Sequence, residues 1–302
     1  MYEKVYSEIL SFFPNSLNEI LSINRDLWNH VEEIRIRIGQ VVCLKLHSEE
    51  IFMNKKVEAE DVLRLLENFS NNSIYSVQSE INNGFVTIKG GHRVGIAGTT
   101  VLENEKVKNI KYISSLNIRI AREIKDCSKD IRKYIFCEKK FLNTIIISPP
   151  GCGKTTILRD IVRCLSNGDD FVEGVNVGLV DERSEVAAMY KGVPQNDVGR
   201  RTDIMNNCLK HIGINMMVRS MGPQVIATDE IGGKLDEDAI NNAVRSGVKL
   251  LFTAHGDNIS DISEDFMNKK LFSYIVILTK KDRPGVIKNI YKLKEDKYVA
   301  WY

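Results

Sequence analysis

Residues Ser148–Thr156 read SPPGCGKTT, a loop of small residues that ends in Gly-Lys-Thr-Thr. The apolar, β-branched run TIII precedes the loop at residues 144–147 and predicts a buried parallel strand. Apolar residues at helical spacing follow the loop over residues 157–165 and predict a helix. A strand, a glycine-rich turn, Gly-Lys-Thr and a helix in this order predict a phosphate-binding loop.

The residue types in this loop suit the chemistry of a bound phosphate. Gly151 and Gly153 let the backbone turn its N–H groups inward, and the helix that follows adds the positive end of its dipole. Lys154 would neutralise the β- and γ-phosphates of a nucleotide, and the Thr155 hydroxyl would reach Mg²⁺. The usual pattern opens with glycine, where this chain has Ser148. The predicted nucleotide-binding residues are Pro150, Gly151, Cys152, Gly153, Lys154, Thr155 and Thr156.

A second apolar run, VIAT at residues 225–228, ends in the acids Asp229 and Glu230. Downstream of a phosphate loop in the same sheet, this pattern predicts the Mg²⁺ side of a nucleotide site. Asp229 would hold the ion together with Thr155, often through water. Glu230 would orient or deprotonate the water that attacks the γ-phosphate, which makes Glu230 the first candidate for the catalytic base.

From about residue 136 apolar runs alternate with helical patterns, which is typical of a parallel sheet with helices on both faces. The charged run DERSE at residues 181–185 follows one such run, at the edge where ligands bind in open α/β sheets. The run VKLLFTAHG at residues 248–256 brings Thr253 and His255 to the same edge. A polar residue there can sense the γ-phosphate, although a lone histidine is more often structural.

Hydrolysis also needs charge neutralisation at the γ-phosphate, usually completed by an arginine supplied in cis or by a neighbouring subunit. Arg200 and Arg201 lie together in a polar loop and are the catalytic arginines that we predict, with Arg183 and Arg219 as further candidates. The alternative is that several of these side chains serve only the surface or salt bridges. After the loop, the sequence predicts a helix over about residues 203–221.

Residues 1–135 predict a smaller α+β unit with about five strands and three helices. The run EIRIRIG at residues 33–39 alternates isoleucine with Arg35 and Arg37, so a strand would place apolar groups on one face and two guanidinium groups on the other. Further along, a strand is predicted over residues 113–120. The charged stretch of residues 124–134 is predicted to contain a linker and an entry helix.

The segment GFVTIKGGHRVGIAG at residues 84–98 predicts a β-hairpin. It contains more glycine than turns require, which indicates close approach of the backbone to another strand or to a ligand. His92 and Arg93, near the predicted tip, are candidate contacts. A solvated hairpin end is the alternative interpretation.

The composition is that of an ordinary globular protein. The 302 residues carry 42 basic and 40 acidic side chains and no basic tail, so charge gives no support to non-specific nucleic-acid binding. Six scattered cysteines form no Cys-x-x-Cys pair, which favours a reducing cytosol. No run approaches the ~20 apolar residues that span a bilayer, and the N-terminus lacks the apolar stretch of a signal peptide. We therefore expect no direct membrane insertion.

Four segments resemble, in order, the Walker A, acidic, Walker B and His boxes of the secretion and type IV pilus ATPases: residues 148–156, 181–185, 225–230 and 253–255. A finer resemblance, over nearly the whole chain, is to the stage III sporulation protein AA family. It also rests on residues 33–39, 90–98 and 192–202. This resemblance implies an α/β fold with a smaller N-terminal α+β domain, residues 1–135, and a RecA-like P-loop ATPase domain, residues 136–302.

That family is understood as the ATPase that powers a channel complex between mother cell and forespore in endospore formers. The resemblance implies hydrolysis of ATP with Mg²⁺, a homohexameric ring, and membrane proteins of the channel complex as partners. It implies a cytoplasmic location in the mother cell, peripheral to the membrane. Glu182 becomes a rival of Glu230 as the catalytic carboxylate, and Arg35 and Arg37 would reach the nucleotide.

Two features of related proteins are missing from this sequence. The tetra-cysteine zinc site of some pilus assembly ATPases is absent, so no metal beyond Mg²⁺ is expected. A nucleic-acid-binding C-terminal extension, found in a related plastid and bacterial group, does not follow Trp301, so no nucleic-acid partner is expected.

Two other functions stay open on sequence grounds. A nucleotide-gated scaffold would bind ATP without useful hydrolysis and would be expected to lack a catalytic carboxylate, whereas this chain keeps Glu182, Glu185, Asp229 and Glu230. A nucleic-acid translocase with a RecA-like core would be expected to show a basic channel or an appended binding domain. A phosphate-release assay distinguishes the scaffold, and a salt-dependent mobility shift distinguishes the translocase.

Overall fold

The computed structural model describes residues 2–22, 25–47, 49–71, 73–262, 270–281, 283–295 and 297–301. Within these ranges the α-helices are α1 (Tyr2–Leu10), α2 (Asn15–Ser22), α3 (Ala59–Phe69), α4 (Gln78–Asn82), α5 (Lys129–Ile135), α6 (Lys154–Asn167), α7 (Lys210–Ser220) and α8 (Lys234–Arg245). The strands are β1 (Glu33–Arg37), β2 (Val41–Lys45), β3 (Glu50–Lys56), β4 (Phe85–Thr87), β5 (Arg93–Glu103), β6 (Lys106–Arg119), β7 (Phe136–Cys137), β8 (Lys140–Phe141), β9 (Thr144–Ser148), β10 (Val177–Asp181), β11 (Met189–Tyr190), β12 (Val193–Pro194), β13 (Thr202–Asn206), β14 (Val225–Thr228), β15 (Lys249–His255), β16 (Tyr274–Thr279), β17 (Val286–Lys294) and β18 (Lys297–Ala300). No helix in the described ranges is long and apolar enough to cross a membrane.

The chain divides into two compact units, Met1–Arg122 with Ala188–Gln195, and Glu123–Ala187 with Asn196–Tyr302. The domain boundary predicted at residue 136 falls inside the second unit. The buried carboxylate of Asp160 in α6 accepts the N–H of Asp126 at 3.0 Å and the hydroxyl of Ser128 at 2.6 Å. These bonds attach to α6 the charged stretch that the sequence predicts as a linker.

The first unit is built on a six-stranded antiparallel sheet in the order β3-β2-β1-β6-β5-β4. Ile34 and Ile36 of β1 are fully buried in a core that also takes side chains from α1, α2 and α3. Successive side chains of a strand point to opposite faces, so Arg35 and Arg37 lie on the other face of the sheet. The strand predicted from this alternation is confirmed.

The hairpin of β5 and β6 is longer than the sequence predicts. A strand was expected only over residues 113–120, whereas β6 begins at Lys106 and pairs with β5 as far as Glu103. Asn104 and Glu105 connect the strands with φ of +51° and +62°, as a two-residue hairpin turn requires. The outer part of the hairpin is largely exposed, and apolar residues do not alternate regularly there, so its sequence carries no strand pattern.

The glycine-rich segment comes close to another part of the first unit. A Cβ atom on Gly91 would lie 3.0 Å from the Cβ of Ala188. The N–H of Gly90 donates to Oε1 of Gln195 at 2.9 Å. These partners lie directly before β11 and after β12. A Cβ atom on Gly98 would lie 2.8 Å from Cα of Ile113 in β6, so the predicted close approach to another strand is confirmed.

His92 and Arg93, the candidate contacts of that segment, have partners within the first unit. His92 is fully buried, and its Nδ1 accepts the N–H of Ala121 at 3.0 Å. Burial lowers the pKa of His92 to about 4, and the charge of Arg122 adds to this effect. The Arg93 guanidinium lies 3.8 Å from the centre of the Phe85 ring. His92 therefore belongs to the interior of the unit, and the alternative interpretation as a solvated hairpin end is wrong for this residue.

We expect His92 to make the fold sensitive to acid. Its pKa is about 4 in the folded chain, against an ordinary value of 6.5, so protonation favours the unfolded chain. Up to about 3 kcal/mol of stability should be lost as the pH falls from about 6.5 to about 4. In His92→Asn the amide oxygen can still accept the Ala121 N–H. The melting temperature of this variant should therefore fall less between about pH 7 and about pH 4.5 than that of the parent. Equal falls in both proteins would contradict this assignment.

The second unit contains an eight-stranded sheet in the order β13-β10-β14-β15-β9-β16-β17-β18. The first six strands are parallel, and β17 and β18 are antiparallel. The predicted α/β class with a parallel sheet is confirmed. Parallel neighbours end at one edge, with Ser148 opposite His255 and Val180 opposite Thr228, so the segments after β10, β14, β15 and β9 follow one another along that edge.

The segment after Arg201 differs from the prediction. Residues 202–206 form β13, and helix α7 starts only at Lys210, whereas the sequence predicts a helix from about residue 203. β13 pairs in parallel with β10 and places Ile204 opposite Leu179. The prediction was wrong here because hydrogen bonding to a strand distant in sequence overrides a weak local helical preference.

Candidate nucleotide-binding and active site

A cavity of about 1120 Å³ lies at the carboxyl edge of the parallel sheet, and every residue that lines it belongs to the second unit. It is lined by the phosphate loop, including Lys154 and Thr155, and by the carboxylates Glu185 and Glu230. Parts of the stretch 124–134 and residues 283–287 line the same cavity. The loop, the lysine and Glu230, predicted separately from the sequence, therefore face one space.

The phosphate loop has the backbone that its glycines predict. Gly151 and Gly153 have φ of +74° and +85°, a region that residues with a Cβ adopt at a cost. α6 begins directly after them at Lys154, and the first N–H groups of a helix have no partner within it. The carbonyl of Cys152 accepts the N–H of Gly285 at 2.8 Å, so the turn before β17 braces the loop. This geometry can hold a phosphate by N–H groups and a helix dipole.

Lys154 is buried inside this loop. Its Nζ donates to the carbonyl of Ser148 at 2.7 Å and to that of Pro149 at 3.2 Å. Burial lowers the pKa of Lys154, while the nearby carboxylate of Glu230 acts in the opposite direction. The loop carbonyls thus hold the cation at the cavity, where phosphate oxygens could replace them as acceptors.

His255 connects Lys154 to Glu230. Its Nδ1 lies 3.3 Å from Nζ of Lys154, and its Nε2 lies 3.0 Å from Oε1 of Glu230. Because an ammonium group can only donate, Nδ1 is the acceptor, and Nε2 carries the hydrogen that is donated to Glu230. Arg183 approaches the other carboxylate oxygen at 3.4 Å. The Lys154, His255 and Glu230 side chains therefore form one polar series along the cavity edge.

Asp229 lies among other carboxylates. It is 4% exposed, and burial raises its pKa to about 7, with further contributions from Asp181 and Glu185. A cation would relieve both the desolvation and the mutual repulsion of these groups. Carboxylate and hydroxyl oxygens are the ligands that Mg²⁺ prefers, so Asp229 and Thr155 fit the ion that the sequence predicts for them.

Asp181 and Glu182, which begin the DERSE run, have other partners. The buried Asp181 carboxylate accepts backbone N–H groups of residues 185–187, which holds this loop in place. Glu182 forms an ion pair with Lys210 and is not among the residues that line the cavity. The loop places Glu185 at the cavity instead, a carboxylate that the sequence pattern does not distinguish from its neighbours.

Arg200 and Arg201 lie at the far end of α6. Arg200 donates to the carbonyl of Asn167 at 3.3 Å, and Arg201 donates to that of Ser166 at 2.9 Å. Cations at a helix C-terminus interact favourably with its dipole. Helix α6 has 14 residues, so its rise separates these carbonyls from the phosphate loop by about 20 Å. Within this chain the two arginines are not brought to the cavity, and their catalytic role stays a prediction.

A second acidic cluster of the second unit is already neutralised. Oxygen atoms of Asp126 and Asp160 and the Sγ of Cys164 lie within 4.8 Å of one another. The Arg163 guanidinium lies 2.9 Å from Asp126 and 2.6 Å from Asp160, and Arg132 also pairs with Asp126. These ion pairs account for the cluster without a metal ion.

The apolar part of the cavity lining was missed from the sequence. It includes Ile124, Ile131, Tyr134, Pro284 and Ile287. The stretch 124–134 carries charged residues between these apolar ones, which is why it predicts a linker. Its place in the cavity depends on its attachment to α6, which no local pattern reveals.

Solved structures share this fold. The ATPase DotB of Yersinia pseudotuberculosis is similar with a TM-score of 0.61 and 15% sequence identity, over 95% of this chain and 81% of that one. A pilus retraction motor, PilT with bound ADP, is similar with a TM-score of 0.58 and 13% identity, over 89% of this chain and 77% of that one. At such identities the likeness concerns the fold alone, and it confirms the predicted RecA-like fold of secretion and pilus ATPases.

Sequence relatives are more specific. The family model described as "Sporulation stage III, protein AA" matches residues 3–298. Stage III sporulation protein AA of Bacillus subtilis (strain 168) is 40% identical over 291 residues, which cover 94% of this chain and 94% of that protein. The chain therefore belongs to the stage III sporulation protein AA family.

Proposed function

We propose that this chain hydrolyses ATP, with Mg²⁺, at the cavity of the second unit. The observation that carries the proposal is the polar series of Lys154, His255 and Glu230. It joins a cation of the phosphate loop to a carboxylate at the end of a neighbouring strand. Phosphoryl transfer to water needs charge neutralisation at the γ-phosphate and a group that orients the water, and both are present at one cavity.

Each residue has a distinct role in this proposal. The loop N–H groups and Lys154 bind the β- and γ-phosphates, and Thr155 and Asp229 hold Mg²⁺. When bound, the ion would neutralise charge on the phosphate oxygens. Glu230 orients the attacking water and takes its proton, and His255 fixes the direction of this carboxylate. Glu182 is the weaker candidate for the base because Lys210 neutralises it away from the cavity.

The apolar part of the cavity lining is where the nucleoside would lie. Ile131, Tyr134 and Ile287 provide apolar and aromatic surface for it. Ligand sites are mostly apolar with few polar groups, and an aromatic ring favours stacking with a planar base. We infer that the phosphates bind at the phosphate loop and that the base packs against these apolar side chains.

Family membership supports a role in sporulation, and the fold shared with secretion and pilus ATPases supports a motor. We infer a homohexameric ring that powers a channel complex between mother cell and forespore. Its partners would be membrane proteins of that complex, which the ring meets from the mother-cell cytoplasm.

Phosphate release by the purified full chain tests the proposal. Release should require both ATP and Mg²⁺ and should stop when the metal is chelated. Nucleotide binding without release would instead support the scaffold alternative. Mass determination with and without ATP tests the ring separately from the chemistry.

Specific activity should also rise with protein concentration if a neighbouring subunit completes the site. Arg35 and Arg37 are the residues that we expect to act across subunits, and both line a cavity of about 300 Å³ in the first unit. Arg35→Ala and Arg37→Ala should each lower turnover about 10-fold, less than the 10³–10⁵ of a dedicated arginine finger, with unchanged melting temperatures. A flat concentration series and full activity in the double variant would refute this expectation.

A further inference from the structure

The backbone of Glu230 is in an unusual conformation. Its φ is +49°, in the left-handed region that a residue with a Cβ rarely adopts. Such a conformation persists only where the surroundings impose it. In the described part of the chain, the backbone N–H groups of Glu230 and Ile231 both donate to one residue of the neighbouring strand.

That residue is Thr253 of β15. Its Oγ1 accepts the N–H of Glu230 at 2.8 Å, and its carbonyl accepts the N–H of Ile231 at 2.9 Å. Thr253 is fully buried, and it is not among the residues that line the cavity. It therefore contacts the backbone of the proposed base without itself facing the nucleotide site.

β15 consequently holds Glu230 at two places. Thr253 holds the peptide N–H, and His255, two residues further on the same strand, holds the carboxylate at 3.0 Å. Two bonds from one rigid strand determine where the carboxylate oxygens lie relative to the phosphate loop. Either bond alone would leave the side chain or the peptide free to rotate.

We propose that Thr253 is a positioning residue for hydrolysis: its hydroxyl keeps Glu230 in the left-handed conformation that aims the carboxylate into the cavity. This inference rests on the proposed ATPase function. Valine has nearly the shape of threonine and would suit a buried strand, but it cannot accept the N–H of Glu230. The peptide would then rotate to find another acceptor and carry the carboxylate with it, because an unpaired buried N–H is unfavourable.

Thr253→Val in the full chain is the test, with Thr253→Ser as the rescue, because serine keeps the accepting oxygen. A misplacement of a catalytic group by about 1 Å can cost about 100-fold in rate. We expect kcat of Thr253→Val to fall about 100-fold and KM for ATP to change less than about twofold, since the phosphate loop is intact. Thr253→Ser should stay within about threefold of the parent.

Thr144→Val is the matched control. Thr144 is as buried as Thr253 and belongs to the same sheet, at the end of β9 that lies away from the phosphate loop. Its hydroxyl donates to the carbonyl of Leu142 at 2.7 Å. It tests whether loss of any buried hydroxyl slows the enzyme, and we expect its turnover to match the parent. If Thr253→Val does not fold, Thr253→Ala compared with Thr253→Ser decides the same question.

Hydrogen exchange of the peptide that covers residues 229–232 provides a readout that does not depend on activity. Exchange at Glu230 and Ile231 should be about tenfold faster or more in Thr253→Val than in the parent, and near the parent rate in Thr253→Ser. Parent-like kcat in Thr253→Val, equal slowing in Thr253→Ser or Thr144→Val, or unchanged exchange would overturn the inference. If the parent itself releases no phosphate, the proposed function fails, while the exchange rates still decide whether Thr253 holds Glu230.

Discussion

Lys154→Ala should reduce ATP turnover about 1000-fold, or to background, while the protein stays folded. The ammonium group of Lys154 is the cation that the structure holds at the mouth of the phosphate loop, through the carbonyls of Ser148 and Pro149. Negative charge accumulates on the γ-phosphate oxygens during transfer, and no other residue of the loop carries a positive charge to meet it. Steady-state phosphate release, with nucleotide affinity measured in parallel, quantifies the loss.

Lys140→Ala provides the matched control for this variant. Lys140 is an exposed residue of β8 in the same unit, so its replacement makes the same change in net charge without touching the cavity. We expect full activity in Lys140→Ala. The phosphate-loop assignment would be wrong if Lys154→Ala hydrolysed ATP as fast as the parent, or if both variants were equally impaired.

Glu230→Gln should lower kcat by about 1000-fold and leave ATP binding nearly unchanged. The amide oxygen of glutamine can still accept the hydrogen bond from Nε2 of His255, so the side chain keeps its place. What it loses is the negative charge that orients the water and accepts its proton. ATP affinity and single-turnover phosphate release, measured on the same preparation, separate binding from chemistry.

Comparison of Glu230→Gln with Glu182→Gln identifies which carboxylate acts as the catalytic base. The Glu182 carboxylate is paired with Lys210, so Glu182→Gln should lose that ion pair and slow turnover only a few-fold. If Glu182→Gln is the more damaging of the two variants, Glu182 is the base and the role assigned to Glu230 is wrong. Normal turnover in both would remove the carboxylate assignments together.

The candidate site residues that the structure brings together belong to contiguous segments. The phosphate loop needs only β9, two glycines and the start of α6, all within residues 144–167, so its geometry follows from neighbours in sequence. Asp229 and Glu230 follow directly after the apolar run of β14. Because parallel strands end at one edge, reading the residues at and after each strand end was enough to predict that Lys154, His255 and Glu230 lie close together.

In the first unit, too, features set by neighbouring residues could be predicted and features set by distant residues could not. The alternation in β1 predicted which face carries Arg35 and Arg37, because the period of a strand is a local property. The burial of His92 could not be predicted this way, since it depends on Ala121, far along the chain. The outer part of the β5 and β6 hairpin was missed because exposed strands need no apolar pattern.

By itself, the sequence predicted the α/β class and the family, both of which are confirmed, and a nucleotide loop and metal-side acids, whose roles stay predictions. Each of these predictions rests on residues that are adjacent or regularly spaced. Only the tertiary structure decided that residues 202–206 form β13, that Glu182 pairs with Lys210 while Glu185 faces the cavity, and that Thr253 holds the backbone of Glu230. The β13 pairing, the Glu182 ion pair and the Thr253 hydrogen bond each join residues 23 or more positions apart. Such contacts exist only once the sheet has assembled, because strand order and register bring their partners together.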